Sequence, residues 1–469
     1  MKKVRLNVLC MFYSTVFFAT SCGQEEEFLQ EVTDFTGSEA TNDVALMDNN
    51  LVHDWTDLFL GLERYAAGRP NASARAIAYI YLTAYETAVP AMDGYVSMDD
   101  RFRRLRISND ELAEVIHWEL AINAAMGTAL DHFLLELPQS DYAAIATRRA
   151  ELEQQFSAGL SQEIIQNSIS WGEYVADQVI AYSQTDDEAE AQILDPQPLS
   201  YEPPVGEGYW TYSADPERAL FPYWEEARTF VISPRRTSAV PPVEYSEDPN
   251  SEYFQQMMDV YLDNNAARAE NGEALWIAEF WSDDVEGLMF SPPARQVSIA
   301  NQLIEQYGLT LQESLVMMLK VGFALNDAAV AAWKYKYDFM VMRPNVYIHE
   351  FIDPNYQTNL YRLVDWPNPS FPGYPSGHST FASAAAGIFI DYFGNETNFT
   401  DRSHEGRTEF LGAPRSFSTF EQMAEENAFS RVPLGVHMDM DCAEGLRLGY
   451  EISDAINDLN LFRPESQIN

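Results

Sequence analysis

The sequence predicts an all-α protein. Apolar residues recur at helical spacing in long, capped runs, and strand-like alternation is scarce throughout. Apolar side chains fill 46% of the 469 positions and aromatics 13%, enough for a large helical core. The expected architecture is two four-helix-bundle-like halves with one long irregular segment wrapped over the helices.

Residues 1–22 read as a targeting segment. Lys2, Lys3 and Arg5 precede the apolar run LNVLCMFYSTVFFAT, which ends in Ala19, Thr20, Ser21 and Cys22. Small residues before a cysteine resemble a bacterial lipoprotein processing site, although Ala19 stands where leucine is usual. That resemblance implies lipidation of Cys22 and export, to the outer membrane, the periplasm or the cell surface. An ordinary secretory signal is the alternative. A membrane-spanning helix needs roughly 20 apolar residues, and the run falls short. Residues 23–48 are acidic, lack an apolar period and read as a flexible tether. Cleavage would remove Cys10 and lipidation would occupy Cys22. Cys442 would then be alone, so neither an internal disulfide nor a thiolate metal site is expected.

Residues 49–250 form the N-terminal half. A helix is expected over 71–90, with Ile77, Ile80, Ala84 and Ala88 on one face and Pro90 closing it. Ser108 and Glu111 read as a capping box that opens another helix running to Pro138. His117 and His132 fall on these helices as packing or surface residues. Helical pattern continues over 141–182, and the acidic run 186–190 reads as a break. Residues 196–249 are rich in Pro, Tyr and Trp without helical period, and supply the wrapping segment. Arg101, Arg103, Arg104 and Arg106 are expected to pair internally with carboxylates.

Residues 251–469 form the C-terminal half. Helices resume at Ser251. Thr310 and Glu313 cap a long helix over 311–339, with Leu315, Leu319, Gly322 and Ala329 on a buried face and Lys336 near its end. A formal charge of −43 excludes nucleic acid as a plausible partner and suits a saline medium.

Three blocks in this half carry chemistry. The first is Lys336-x6-Arg343-Pro344, the second Pro375-Ser376-Gly377-His378, the third Ser430-Arg431-x5-His437-x3-Asp441. The second block precedes a small-residue helix, whose unpaired N–H groups and dipole favour an oxyanion. Gly377 permits close approach of the backbone, and Ser376 adds a hydroxyl. Lys336, Arg343 and Arg431 supply three cations, with arginine forks suited to paired oxygens. One imidazole can approach the central atom in line while His378 moves a proton. Asp441 lies on the same face as His437 if that segment is helical, and would fix the ring's tautomer. Any one of these residues alone would be a surface ion pair or a packed histidine.

The ordered set resembles the superfamily of type 2 phosphatidic acid phosphatases, bacterial acid phosphatases and vanadium-dependent haloperoxidases. The resemblance implies an oxyanion site at the end of the C-terminal bundle. As a phosphatase, the chain would use His437 as nucleophile and His378 as acid. As a haloperoxidase, it would hold vanadate through Lys336, Arg343, Ser376, Gly377, His378 and Arg431, with His437 as axial vanadium ligand. Hydrogen peroxide and a halide would then be the substrates, with small organic molecules as possible acceptors of the oxidised halogen. Lys336, His378 and His437 would be the catalytic residues. A binding protein without turnover is a third reading, against which the intact histidine pair argues.

Features around the shared blocks favour the haloperoxidases. Acid phosphatases of the superfamily are about half as long as this chain. Trp333, in Trp333-Lys334-Tyr335-Lys336, and Phe371 resemble residues on the halide side of chloroperoxidases. The run 280–284 with Ser291-Pro292-Pro293 resembles a haloperoxidase segment whose aspartate, here Asp284, supports the arginine of the third block. Taken singly, Trp333 and Phe371 would be core aromatics and Asp284 a turn cap. Met438 departs from the tryptophan usual after the last histidine, and Ser379 from alanine or threonine. The interval from His378 to Ser430 is shorter than in the fungal enzymes. Iodide or bromide is preferred to chloride, because an apolar wall favours the halide that is cheapest to desolvate.

Overall fold

The central helix begins where Thr310 and Glu313 place it. The Glu313 carboxylate accepts from Thr310 N at 2.8 Å, and the Thr310 hydroxyl accepts from Glu313 N at 3.3 Å. The structure is a computed structural model describing residues 43–463, apart from 64–68, 136, 214–216, 286 and 364–367. The leader, Cys22 and most of the tether lie outside the described residues.

The N-terminal helices are α1 (Asn50–Glu63), α2 (Pro70–Ala88), α3 (Trp118–Phe133), α4 (Gln139–Phe156), α5 (Gln162–Ser183) and α6 (Asp187–Leu194). Then follow α7 (Glu252–Glu270), α8 (Glu273–Phe280), α9 (Pro292–Tyr307), α10 (Leu311–Phe339) and α11 (Pro344–Phe351). The last are α12 (Gly377–Phe393), α13 (Phe420–Phe429), α14 (Arg431–Leu434) and α15 (Asp439–Asn457). Strands β1 (Phe399–Asp401) and β2 (Arg415–Phe417) pair antiparallel as a small hairpin. The all-α expectation holds.

Two helix groups meet along α10. The N-terminal group packs α2, α3, α4 and α5, and the C-terminal group packs α9, α10, α12, α13 and α15. Contact between α2 and α10 joins them, so Asp43–Asn469 forms one compact unit. Sequence periodicity assigned α10 one buried face, but it is buried on nearly all sides. Its length and apolarity would suffice to cross a bilayer, yet α1, α2, α9, α12 and α15 enclose it. Each buried leucine there contributes roughly 1.5–3 kcal/mol relative to exposure.

α12 packs closely against α15 at the end that carries the second and third sequence blocks. A Cβ at Gly445 would lie 2.6 Å from Ser376 O, and one at Gly449 would lie 2.4 Å from Thr380 O. Only glycine permits that approach.

The described residues within 210–232 lie along α10. Asp327 on α10 accepts N–H bonds from Phe230, Val231 and Ile232 at 2.8, 2.9 and 2.9 Å. Further along, Trp210 N donates to Met340 O at 2.6 Å, and Leu220 N to Ser370 O at 2.8 Å. The segment thus holds both the end of α10 and the loop before α12.

Three local expectations are corrected. The Ser108 hydroxyl accepts from Asp110 N, two residues on, so 109–111 is a single 3-10 turn and the helix starts at Trp118. The acidic run at 186–190 starts α6 instead of breaking the chain, because Asp187, Glu188 and Glu190 suit the positive end of a helix dipole. Arg101 and Arg104 donate to the carbonyls of Asn460 and Thr185 rather than to carboxylates.

Candidate active site

The three sequence blocks converge on the loop before α12. Lys336, in the last turn of α10, donates to the carbonyls of Pro372 (3.1 Å), Gly373 (3.0 Å) and Pro375 (2.5 Å). Arg343 precedes α11; its Nε donates to Phe371 O at 2.8 Å and its Nη1 to Val436 O at 3.0 Å. Ser376 caps α12, and its N–H donates to Asp441 O at 2.8 Å, tying this loop to the start of α15. Arg431 Nη1 donates to the carbonyls of Trp281 (3.1 Å) and Ser282 (3.0 Å), and Asp284 Oδ2 accepts from its Nη2. All of these cations are buried.

His437 lies between Arg343 and Asp441. Asp441 Oδ2 accepts from His437 Nδ1 at 2.9 Å, so the ring's proton sits on Nδ1. The Nε2 lone pair is left to accept from Arg343 Nη1 at 3.1 Å. Burial, then Arg343, Lys336 and Arg431, push the His437 pKa well below its ordinary value and keep the imidazole neutral. The helix-face argument for Asp441 is corrected, because His437 lies before α15 and outside it. Asp441 reaches back from the first turn, where its Oδ2 also accepts from Met438 N at 3.1 Å. Burial raises the Asp441 pKa, against the pull of the Met438 N–H and of Lys336 and Arg343.

His378 sits in the first turn of α12. Its Nε2 lies 2.9 Å from Ser282 O and 3.8 Å from Asp284 Oδ1. A carbonyl can only accept, so Nε2 carries the proton and Nδ1 the lone pair. Burial and Arg431 push its pKa down from 6.5 to about 4. Trp333 and Phe371 pack with ring centroids 4.8 Å apart, and Lys336 Nζ lies 5.7 and 5.2 Å from their respective ring centroids. A Cβ at Gly377 would press on the Trp333 ring at 3.3 Å.

The charge balance calls for an anion. Arg431 has Asp284, but Lys336 and Arg343 hydrogen-bond only to carbonyls and a ring nitrogen among the described contacts. Burial lowers the Lys336 pKa and, with Arg431 opposing Asp441 and Asp284, takes Arg343 down to about 10. Arg343 Nη2 and Arg431 Nε are buried donors without a hydrogen-bond partner. Isolated buried charges cost several kcal/mol each, and an oxyanion would offset that cost and satisfy both donors.

Residues 316–461 match the family described as the VCPO second helical-bundle domain. This stretch is thus similar to the second helical bundle of the vanadium chloroperoxidases, and the chain shares the fold of the bacterial enzymes below. Vanadium chloroperoxidase of Curvularia inaequalis is 23% identical over 219 residues, 35% of this chain and 35% of that protein. The match thus spans about a third of the length of that curated relative. A bacterial vanadium-dependent iodoperoxidase superposes with a TM-score of 0.77 and 23% identity, over 89% of this chain and 98% of that one. A bacterial vanadium-dependent chloroperoxidase in its holo form gives 0.66 and 17%, over 88% and 97%.

Met438, the departure noted after the last histidine, is buried with Val341, Met342, Tyr374 and Cys442. Cys442 is free and buried. Ser379 is buried on the side of α12 that faces Gly445 of α15. Sequence reasoning did not identify the carbonyls of Ser282, Trp281, Phe371 and Val436 that aim the cations. Backbone acceptors carry no side-chain signature, so no residue type announces them.

Proposed function

We propose that this chain is a vanadate-dependent haloperoxidase, catalysing H2O2 + halide + H+ → hypohalous acid + water. One observation carries this reading: Arg343, a buried cation without a carboxylate hydrogen-bond partner, faces the Nε2 lone pair of a neutral imidazole, with the equally buried Lys336 on the loop that Arg343 also binds. Lys336, Arg343, Ser376, Gly377 and Arg431 would hold the vanadate oxygens, and His437 Nε2 would bind vanadium. When bound, vanadate would supply a Lewis-acidic centre that activates peroxide for the two-electron oxidation of halide.

The chain's own groups do the rest. Asp441 holds the Nδ1 proton of His437 and so keeps Nε2 available as donor atom. Ser282 O holds the Nε2 proton of His378, leaving Nδ1 to take and return protons during turnover. Trp333 and Phe371 cover the cations and exclude water from that side. Their apolar faces favour iodide or bromide, the halides least costly to desolvate. The likeness to an iodoperoxidase fold supports the same preference. The formal charge of −43 repels anions at range, so local cations must draw the halide in, helped by salt screening.

The same neutral His437 could attack a phosphate ester in line. Purified protein should therefore be assayed for peroxide-dependent oxidation of iodide, bromide and chloride, with and without vanadate, beside phosphate-ester hydrolysis. Vanadate-dependent halide oxidation is expected. Ester cleavage with no halide oxidation at any pH would reverse the assignment. We further propose export as a lipoprotein anchored through Cys22; labelled fatty acid should be incorporated into the parent and lost in Cys22→Ser.

A further inference from the structure

Behind the segment that aims Arg431 and His378 lies a buried ionic cluster the chemistry above does not use. Asp283 is fully buried and left-handed, with φ of +44°. Its Oδ2 accepts from Arg295 Nε at 3.2 Å, and its Oδ1 lies 3.5 Å from His404 Nε2. Arg295, also fully buried, donates through Nη2 to Phe280 O, and its Nη1 lies 3.5 Å from Asp401 Oδ2. The guanidinium carbon sits 4.6 Å from the Phe280 ring centroid and 4.9 Å from that of Trp281.

One side chain thus grips the run 280–283 at both ends. That run presents two carbonyls to the active site. Ser282 O accepts from both Arg431 Nη1 (3.0 Å) and His378 Nε2 (2.9 Å), and Trp281 O from Arg431 Nη1 (3.1 Å). Asp284, the next residue, accepts from Arg431 Nη2. Left-handed backbone is costly for a non-glycine residue and persists where surrounding contacts over-determine it. Here the turn at Asp283 directs the Ser282 carbonyl one way and its own carboxylate the other.

Arg295 is itself fixed from the N-terminal group of helices. It lies in the first turn of α9, whose capping residue Ser291 donates through N and Oγ to the buried Glu63 of α1. Glu63 also accepts from Ser73 of α2. A continuous set of contacts therefore runs from α1 and α2 through α9 to the carbonyl that His378 uses.

We infer that Asp283 and Arg295 are positioning residues that set the tautomer of His378 and the orientation of Arg431 through the Ser282 carbonyl. This rests on the function proposed above for what the two residues do with a bound oxyanion, though not for the placement of the histidine proton. A purely structural cluster would stabilise the fold and leave that proton and the oxyanion affinity unmoved.

The test uses the full chain with two variants. Asp283→Asn/Arg295→Met removes both charges of the closer pair together, Asp401 keeps the Ser403 N–H and hydroxyl as donors, and asparagine tolerates the left-handed backbone. Asp401→Asn disturbs the far end of Arg295 without touching 280–284 and controls for lost stability. Histidine-labelled NMR, with His378→Gln identifying the resonance among seven histidines, should show His378 protonated at Nε2 in parent and Asp401→Asn. The paired variant should show mixed tautomers. Equilibrium dialysis against orthovanadate should give roughly 10–100-fold weaker binding in the paired variant alone. A paired variant with parental tautomer and affinity, or an Asp401→Asn variant with equal losses, would overturn the inference. If the paired variant does not fold, Asp283→Asn alone carries the same readouts. A parent that binds vanadate but oxidises no halide would defeat the proposed function and leave this inference standing on its own measurements.

Discussion

Arg343 Nη1 points at His437 Nε2 from 3.1 Å while Asp441 Oδ2 holds His437 Nδ1 at 2.9 Å. The imidazole is gripped by a cation on one nitrogen and a carboxylate on the other. That fixes the neutral tautomer and aims its lone pair into the cation cluster. Arg343→Met keeps the aliphatic stem but removes the fork and one buried charge. Orthovanadate affinity should fall about 10–100-fold, and with the nearest cation gone the His437 pKa should rise. Equilibrium dialysis and a histidine titration check both; unchanged affinity would place Arg343 outside the anion site.

His378 gives the site an acid limit. Its folded pKa is depressed from 6.5 to about 4, so it contributes stability above 6.5 that is lost as pH falls towards 4. The Tm difference between the parent and His378→Gln, both without added anion, should shift against the parent across that window. Added phosphate should weaken the effect, because an anion beside the ring favours its protonated form. A gap that does not move with pH would mean that the ring is not held neutral.

Glu86 titrates with the opposite sign. Burial raises its pKa from 4.5 to about 8, while Ser97 Oγ and Met98 N donate to its oxygens at 2.5 and 2.6 Å. Its contribution is full below 4.5 and lost as pH rises through about 8. Glu86→Gln should remain hydrogen-bonded, since the Ser97 hydroxyl can turn to accept. Its stability relative to the parent should therefore improve from pH 5 to pH 8 as a direction set by that shift. Thermal melts across the range decide it.

Gly449 tests whether helix spacing builds the site. A Cβ there would meet Ser383 Oγ at 2.0 Å and Thr380 O at 2.4 Å, the second a backbone atom that cannot turn away. Gly449→Ala must push α15 from α12, carrying Asp441 away from Ser376 N. Overpacking of this kind costs about 1–3 kcal/mol. Tm and vanadate affinity should fall together; loss of stability with parental affinity would uncouple the helix spacing from the oxyanion site.

Much of this protein is local enough to be legible before folding. The Thr310–Glu313 capping box, the 29-residue run of α10 and the proline that opens α11 each depend on neighbours within a few residues. So do the side-chain types of the chemistry: three cations, two histidines and the serine-glycine pair arrive in order in one strand of sequence. Local reading failed where the deciding partner was elsewhere. The turn at Ser108 looked like a capping box, but its N–H donates to the hydroxyl of Tyr174 on α5 at 2.9 Å and not to Glu111. The acidic run of α6 was stabilised by its own dipole and by Arg75, which lies 2.6 Å from Glu190 and far away in sequence.

Composition and motif therefore determined the helical class and supplied the residue types that the proposed oxyanion chemistry needs. Tertiary structure alone decided which protons those residues carry. The tautomers of His437 and His378 follow from Asp441 reaching back across a helix start and from the Ser282 carbonyl nearly a hundred residues away in sequence. A hydrogen bond's direction depends on where the acceptor stands in space, and that is a property of packing that no run of letters contains.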